Sequence, residues 1–278
     1  MISFMRKNSV HAFLQHKVAG QMVKGLTRSM ASKVPQKMED YFKDKKIIVT
    51  GSCAGMGEKI TERLLDLGAF VYAVVEKKEG AAKALPNTKQ IFCDVSKWED
   101  TYKTMYDIGP VHGLVNNAGV AVIEPFFEVT ENGWDKTLNV NARALVRISQ
   151  AVAKNMINAG IRGSIVNISS TISTRAIPDH TTYCASKGAV NQITRTMAIE
   201  LGKCGIRTNS VNPTVVLTRM GKIAWSDPEK SEPIMKRIPL GRFAETDDIA
   251  NAVIFMLSDY STMVNGTSLV VDGGFLAG

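Results

Sequence analysis

The stretch TYCASKG, residues 182–188, sets a tyrosine four residues ahead of a lysine. On a helix, Tyr183 and Lys187 share one face, one turn apart. A free phenol titrates near ~10, and a neighbouring ammonium favours the phenolate and lowers that value. Such a pair is suited to moving a proton to or from an oxygen whose charge changes. Spacing alone is not specific, because YFKDK puts Tyr41 and Lys45 at the same interval. Context separates the two. Ser170, in VNISS, precedes Tyr183 by thirteen residues and arrives from the end of a strand-like run. The residue thirteen before Tyr41 is Arg28, and Tyr41 lies ahead of the first such run.

The elements that must position these residues follow an alternating pattern from Lys45 onward. KKIIVTG, AFVYAVV, KQIFCDV, HGLVNNAG, GSIVNISS, IRTNSVNP and TSLVVDGG are short, apolar and rich in β-branched residues. They predict seven strands. EKITERLLDLG repeats Ile60, Leu64 and Leu67 at helical spacing and stops at Gly68. Further helices are expected over about 97–107, 131–159, 184–203 and 246–258. Apolar strands alternating with helices indicate an α/β fold: one doubly wound, Rossmann-like domain with a parallel sheet covered on both faces. No repeat or low-complexity linker divides the chain, and the domain is taken as residues 38–278. Ligands of such sheets bind beyond the carboxyl ends of the strands.

Four more motifs fall at those ends. TGSCAGMG spaces Gly51, Gly55 and Gly57 as G-x-x-x-G-x-G between the first strand and the first helix. Glycine there permits a tight turn and close approach of a pyrophosphate to a helix N-terminus. Glu76, at the end of the second strand, is placed to accept hydrogen bonds from ribose hydroxyls, or is a solvated residue ahead of Lys77 and Lys78. Asp94, in CDV, falls near an adenine. In NNAG, Asn116 is expected to hold backbone near the cofactor, and Gly119 is small enough to admit it.

The chain has 278 residues, 45% of them hydrophobic, and a formal net charge of +8. That charge is local. Residues 1–38 hold seven bases and no acid, leaving 27 bases against 26 acids elsewhere. The rest therefore offers no basic stripe for a nucleic acid. No apolar run reaches the ~18 residues of a membrane span. Cys53, Cys93, Cys184 and Cys204 form no C-x-x-C pair and have no histidine at ligand spacing, so they read as reduced thiols rather than a disulfide framework or metal site. Residues 1–37 carry Val10, Leu14, Val18, Met22, Leu26 and Met30 at four-residue steps among basic and polar residues. This extension resembles a mitochondrial presequence. The alternative is a solvated tail on a cytoplasmic protein.

T-G-x-x-x-G-x-G, N-N-A-G, Ser170, Y-x-x-x-K and NPTVVLT together resemble the short-chain dehydrogenase/reductase family, over about residue 38 to the C-terminus. WSDPEK, RIPLGRFAE and GPVHGLVNNAGVAVIEPFFEVT resemble its dicarbonyl/L-xylulose reductase (carbonyl reductase) branch. The resemblance implies hydride transfer between a nicotinamide cofactor, NAD(P)(H), and the carbonyl of a small sugar or dicarbonyl. It implies Tyr183 as general acid in reduction, Lys187 as its partner and a ribose ligand, and Ser170 as a hydrogen-bond partner of the carbonyl oxygen. It implies that Asn141 holds a water in a proton relay, and it sets Met56, Val216 and Thr218 beside the cofactor. Thr171, Ile177, His180 and Trp225 become candidate substrate contacts; His180 otherwise reads as an exposed loop residue and Trp225 as packing. A homotetramer is implied too. The branch uses NADPH with a lysine in the glycine loop and an arginine at the second strand's end. Here those positions are Ala54 and Glu76, which leans the expectation toward NADH. Competing expectations are another short-chain reductase, for 3-oxoacyl thioesters or hydroxysteroids, and a non-catalytic protein on this fold.

Overall fold

The computed structural model describes residues 37–76 and 86–278. The presequence reading of 1–37 and the two lysines after Glu76 therefore lie, Lys37 apart, outside the described residues.

Seven strands form one parallel sheet: β1 (Lys46–Thr50), β2 (Phe70–Val75), β3 (Thr88–Phe92), β4 (Gly113–Asn116), β5 (Ser164–Ile168), β6 (Arg207–Pro213) and β7 (Ser268–Val271). Their order is β3-β2-β1-β4-β5-β6-β7. The chain winds outward from β1 to β3, crosses back to β4 and winds the other way. A crevice therefore opens between the carboxyl ends of β1 and β4, where connections depart in opposite directions.

Alternation along β1 explains why both faces need helices. Ile47 and Val49 point to one side, Ile48 to the other, and all are buried. On the first face they meet Ile60 and Leu64 of α2 (Gly55–Asp66; α1 is Met38–Phe42) and Ile249 and Val253 of α9 (Thr246–Leu257). On the second, Ile48 joins Leu114, Met105 of α3 (Trp98–Asp107), and Ile148 and Val152 of α5 (Ala144–Asn158). Each such side chain contributes about 1.5–3 kcal/mol of burial free energy. A third, smaller cluster gathers Ile238, Phe243 and Phe275, with Trp225 packed against it.

Two expected helices differ in detail. The run expected over 131–159 is interrupted. α4 (Glu131–Leu138) passes into a π-helical turn, Asn139–Arg143, before α5 begins. Such a turn inserts an extra residue and re-aims side chains, often at a functional site; hydrophobic periodicity does not reveal it because apolar residues continue on either side. The helix expected from 184 starts earlier: α6 is Thr181–Gly202, which places Tyr183 inside its first turn.

Candidate active site

The crevice is built first from backbone. Gly51 and Gly55 have φ of +64° and +59°, which side-chain-bearing residues rarely adopt. A Cβ on Gly57 would collide with the Gly51 carbonyl oxygen and the Asn117 amide, so only glycine lets α2 start this close to β1. Among the described residues no side chain caps the first turn of α2, whose N-cap is Ala54. The free N–H groups of that turn and the helix dipole suit an anionic group.

Thr50 and Asn117 fasten the two strand ends. The Thr50 hydroxyl accepts from the backbone N–H of Asn117 and of Ala118, each at 3.0 Å. Asn117 Nδ2 donates to the carbonyls of Thr50 (3.0 Å) and Gly51 (3.2 Å). This corrects the expectation for Asn116. Its Nδ2 donates inward, to Ser149 Oγ and Asn167 Oδ1, and it is buried among the strands. Successive strand residues face opposite ways, so in N-N it is the second asparagine that reaches the glycine loop.

Beyond the strand ends lies a cleft of about 160 Å³ lined by Met56, Ser169, Ser170, Tyr183, Pro213, Thr214, Val216 and Thr218. Met56, Ser170, Tyr183, Val216 and Thr218 were expected together, and they meet. Ser170 Oγ makes only a long, 3.4 Å bond to the Pro213 carbonyl and accepts from the Ile172 N–H at 3.3 Å. Thr218 caps α7 (Arg219–Ala224), its hydroxyl accepting from Gly221 N–H, and its methyl closes against Gly55.

Lys187 sits behind Tyr183. Its Nζ is 5.5 Å from the Tyr183 ring centroid and donates to the Ile168 carbonyl at 2.8 Å. Gly119 lies beside it; a Cβ there would come 3.7 Å from Nζ and 3.3 Å from Asn141 Oδ1. Asn141, in the π turn, accepts from Val120 N–H (2.8 Å) and donates to Val120 carbonyl (2.9 Å) and Ser186 Oγ (3.0 Å). It clamps the segment after NNAG onto the helix that carries Tyr183.

The expected electrostatics are reversed in the chain by itself. Burial pushes the Tyr183 hydroxyl up to about 12, with the neighbouring Cys184 adding to it. Burial pushes Lys187 down to about 8. Desolvation opposes the charged form of both groups, and Lys187 spends a hydrogen on a carbonyl rather than on the phenol.

The remaining expected contacts stand apart from that cleft lining. Glu76 is exposed at the end of β2. Asp94 is exposed at the end of β3, its carboxylate accepting from Ser96 N–H and Oγ. Thr171 is buried in the turn after Ser170, and Ile177 is half-buried in the loop beyond it. His180 precedes α6, with Nδ1 2.6 Å from the Pro178 carbonyl. A carbonyl only accepts, so Nδ1 carries the proton. Trp225 packs against the third cluster, 6.0 Å from the Phe243 ring.

A family model described as enoyl-(acyl carrier protein) reductase matches residues 51–276, which contain the glycine loop, Asn117 and every residue lining the cleft. The chain belongs to the short-chain dehydrogenase/reductase family. Human L-xylulose reductase is 43% identical over 243 residues, 86% of this chain and 100% of that protein. D-erythrulose reductase of Gallus gallus is 44% identical over 84% of this chain and 97% of its own. Among solved structures, a gluconate 5-dehydrogenase from Burkholderia cenocepacia, in complex with NADP and tartrate, has a TM-score of 0.82 at 30% identity, covering 87% of this chain and 100% of that one. In this short-chain dehydrogenase/reductase, sequence reasoning missed Thr50 and Asn117, the fasteners of the crevice. The signal for both lay inside motifs already singled out.

Proposed function

We propose that the chain is a nicotinamide-dependent carbonyl reductase that reduces L-xylulose to xylitol and also reduces α-dicarbonyls. As a short-chain dehydrogenase/reductase it is an NAD(P)-dependent oxidoreductase acting on CH–OH groups and their carbonyls. The observation that carries the finer reading is the meeting of Ser170 and Tyr183 on one cleft with Lys187 buried behind them, in a chain 43–45% identical to proteins named L-xylulose reductase.

The residues present fit a dinucleotide. Gly51 and Gly55, at positive φ, and Gly57, packed on the Gly51 carbonyl, bring backbone close at the start of a helix without a side-chain cap among the described residues, with Met56 lining the cleft beside them. Glu76 and Asp94, exposed after β2 and β3, would meet the nucleotide end of the cofactor, and Gly119, Val216, Thr218, Tyr183 and Lys187 its reacting end. The bound cofactor supplies or accepts the hydride. Tyr183 supplies the proton: a hydroxyl pushed up to about 12 keeps its proton at neutral pH and releases it to an oxygen becoming an alkoxide. Ser170, whose present bond is long, turns its hydroxyl to the same oxygen. Lys187 would hold the cofactor ribose and, through a water at Asn141, would return a proton to Tyr183.

Glu76 and Ala54 stand where NADPH recognition would want cations, so NADH is favoured or shared. A carboxylate about 4 Å from a phosphate gives a raw repulsion of about 4 kcal/mol per unit charge at an effective dielectric near ~20, before screening. Solved relatives that carry NADP make this a sharp test. Glu76→Arg should move the kcat/KM preference toward NADPH; a wild type already NADPH-selective would refute it. The homotetramer and a targeting role for residues 1–37 belong to the same proposal. Light scattering checks the first, and a fluorescent reporter fused to residues 1–37 checks the second, with diffuse signal against it.

A second reading, reduction of 3-oxoacyl thioesters, draws on the description of the family model. Rates on L-xylulose, diacetyl, an acetoacetyl thioester and a steroid ketone, with each nicotinamide, decide among the substrate classes. The proposal requires the first two to exceed the others.

A further inference from the structure

The half-reaction groups come from separate elements: Ser170 from the end of β5, Tyr183 and Lys187 from α6. Something must fix their relative position. Asn191 lies four residues past Lys187 and eight past Tyr183, on the same face of α6, and is 6% exposed. Its Nδ2 donates to Ser173 Oγ at 2.7 Å. Ser173 in turn donates to the Ser170 carbonyl at 2.5 Å. Asn191 Oδ1 accepts from Asn212 Nδ2 at 3.2 Å, and Asn212 Nδ2 also lies 3.3 Å from the Ser170 carbonyl. Ser210 Oγ, fully buried on β6, closes the cluster against Asn212 Oδ1 at 2.9 Å.

We propose that Asn191 is a positioning residue for carbonyl reduction: with Ser173 and Asn212 it locks the backbone of Ser170 to the helix that carries Tyr183. The inference rests on the catalytic reading of Ser170 and Tyr183. Three independent features support it. The amide uses both ends, so its orientation is set by the network and not by a free choice of rotamer. Asn191, Asn212 and Ser210 are buried, with Ser173 half-buried at the edge of the cluster, so solvent cannot freely replace the amide contacts. The cluster converges on the Ser170 carbonyl, one residue's backbone away from the hydroxyl in the cleft. Asn191 touches neither the cleft nor Tyr183, and acts only through Ser170.

The test is a double-mutant cycle with steady-state kinetics on the full chain, using L-xylulose and diacetyl. Asn191→Ala should lower kcat about ten- to a hundredfold, as misplacement on the ångström scale does, while the Kd of the nicotinamide cofactor stays within about twofold by fluorescence. In a Ser170→Ala background the same substitution should cost less than about twofold, because the group it positions is gone. Equal losses in both backgrounds, or no loss in either, overturn the proposal. Asn209→Ala removes an equally buried β6 amide, bonded to the Val264 carbonyl. It should lower Tm without lowering kcat, and a matching kcat loss there would reduce Asn191 to general stability. If Ser170→Ala alone leaves turnover unchanged, the catalytic reading itself fails and this inference with it. Hydrogen exchange gives a readout free of turnover. Amides of residues 172–175 should exchange faster in Asn191→Ala, and unchanged protection there contradicts the lock.

Discussion

Two tyrosines in this chain have a lysine four residues on, and their local measurements nearly coincide. Lys45 Nζ lies 5.4 Å from the Tyr41 ring and Lys187 Nζ 5.5 Å from the Tyr183 ring. Burial pushes each hydroxyl up to about 12. The differences are in what surrounds the pair. Tyr41 donates to the Leu257 carbonyl at 3.1 Å, at the end of α9, and its ring joins the first core. Lys45 is half-exposed, beyond the end of α1. Tyr183 instead lines a cleft, and Lys187 is buried with its ammonium on a strand-end carbonyl. Spacing, ring distance and a raised pKa do not tell the two pairs apart. A position on the cleft, with a buried lysine behind it, does.

The comparison breaks most sharply under Tyr→Phe. At Tyr183 the substitution removes the proton donor, and turnover should fall about 10²–10⁴-fold or more while cofactor binding and Tm change little. Stopped-flow and steady-state reduction of L-xylulose read it directly. Near-wild-type turnover would erase the distinction between the two tyrosines.

Lys187→Met tests the buried cation through pH. Burial lowers this lysine from 10.5 to about 8. Below pH 8 the folded and unfolded chains both hold the proton, and the full cost of a buried ammonium opposes folding. Between pH 8 and 10.5 the unfolded chain still holds it and the folded chain does not, so wild-type stability rises with pH. At about 1.4 kcal/mol per unit, wild type should gain about 3 kcal/mol on Lys187→Met across that window. Urea titrations at pH 7 and pH 10 measure it. Groups remote from Lys187 contribute equally to both proteins and cancel. A constant difference would mean that Lys187 is already paired or solvated.

How far the site could be read from sequence follows the range of the interactions. The strands, glycine loop and Tyr183–Lys187 pair are local patterns, and all seven strands appear where alternation and β-branched runs place them. The π turn at Asn139–Arg143 is not local. It is held by Asn141 bonding to Val120, 21 residues away, and nothing in the 131–159 stretch marks it. Asn116 and Asn117 show the same limit at one-residue scale: N-N announces a strand end, but only the register with β1 and β5 decides which amide faces the loop. The substrate contacts were least legible. For Trp225 the sequence left a pocket wall and plain packing both open, and its contact with Phe243 and the third cluster is set by long-range packing.

The smallest effect lies at the other tyrosine. Tyr41→Phe removes one hydroxyl from a largely buried ring and leaves the ring's packing with Phe42 intact. The Leu257 carbonyl does not lose every partner, because Arg207 Nη2 also reaches it at 3.3 Å. The cost is thus that of one hydrogen bond, about 1 kcal/mol, and not that of an orphaned buried carbonyl. Chemical denaturation should show a midpoint shift with unchanged slope, and kcat and KM should match wild type. A loss above about 3 kcal/mol would mean that the hydroxyl organises the C-terminal end of α9 together with Arg207. A loss of turnover would mean that the two tyrosine–lysine pairs are functionally linked, which their positions at opposite ends of the strands oppose: Tyr41 precedes the amino end of β1, whereas Tyr183 faces the carboxyl ends.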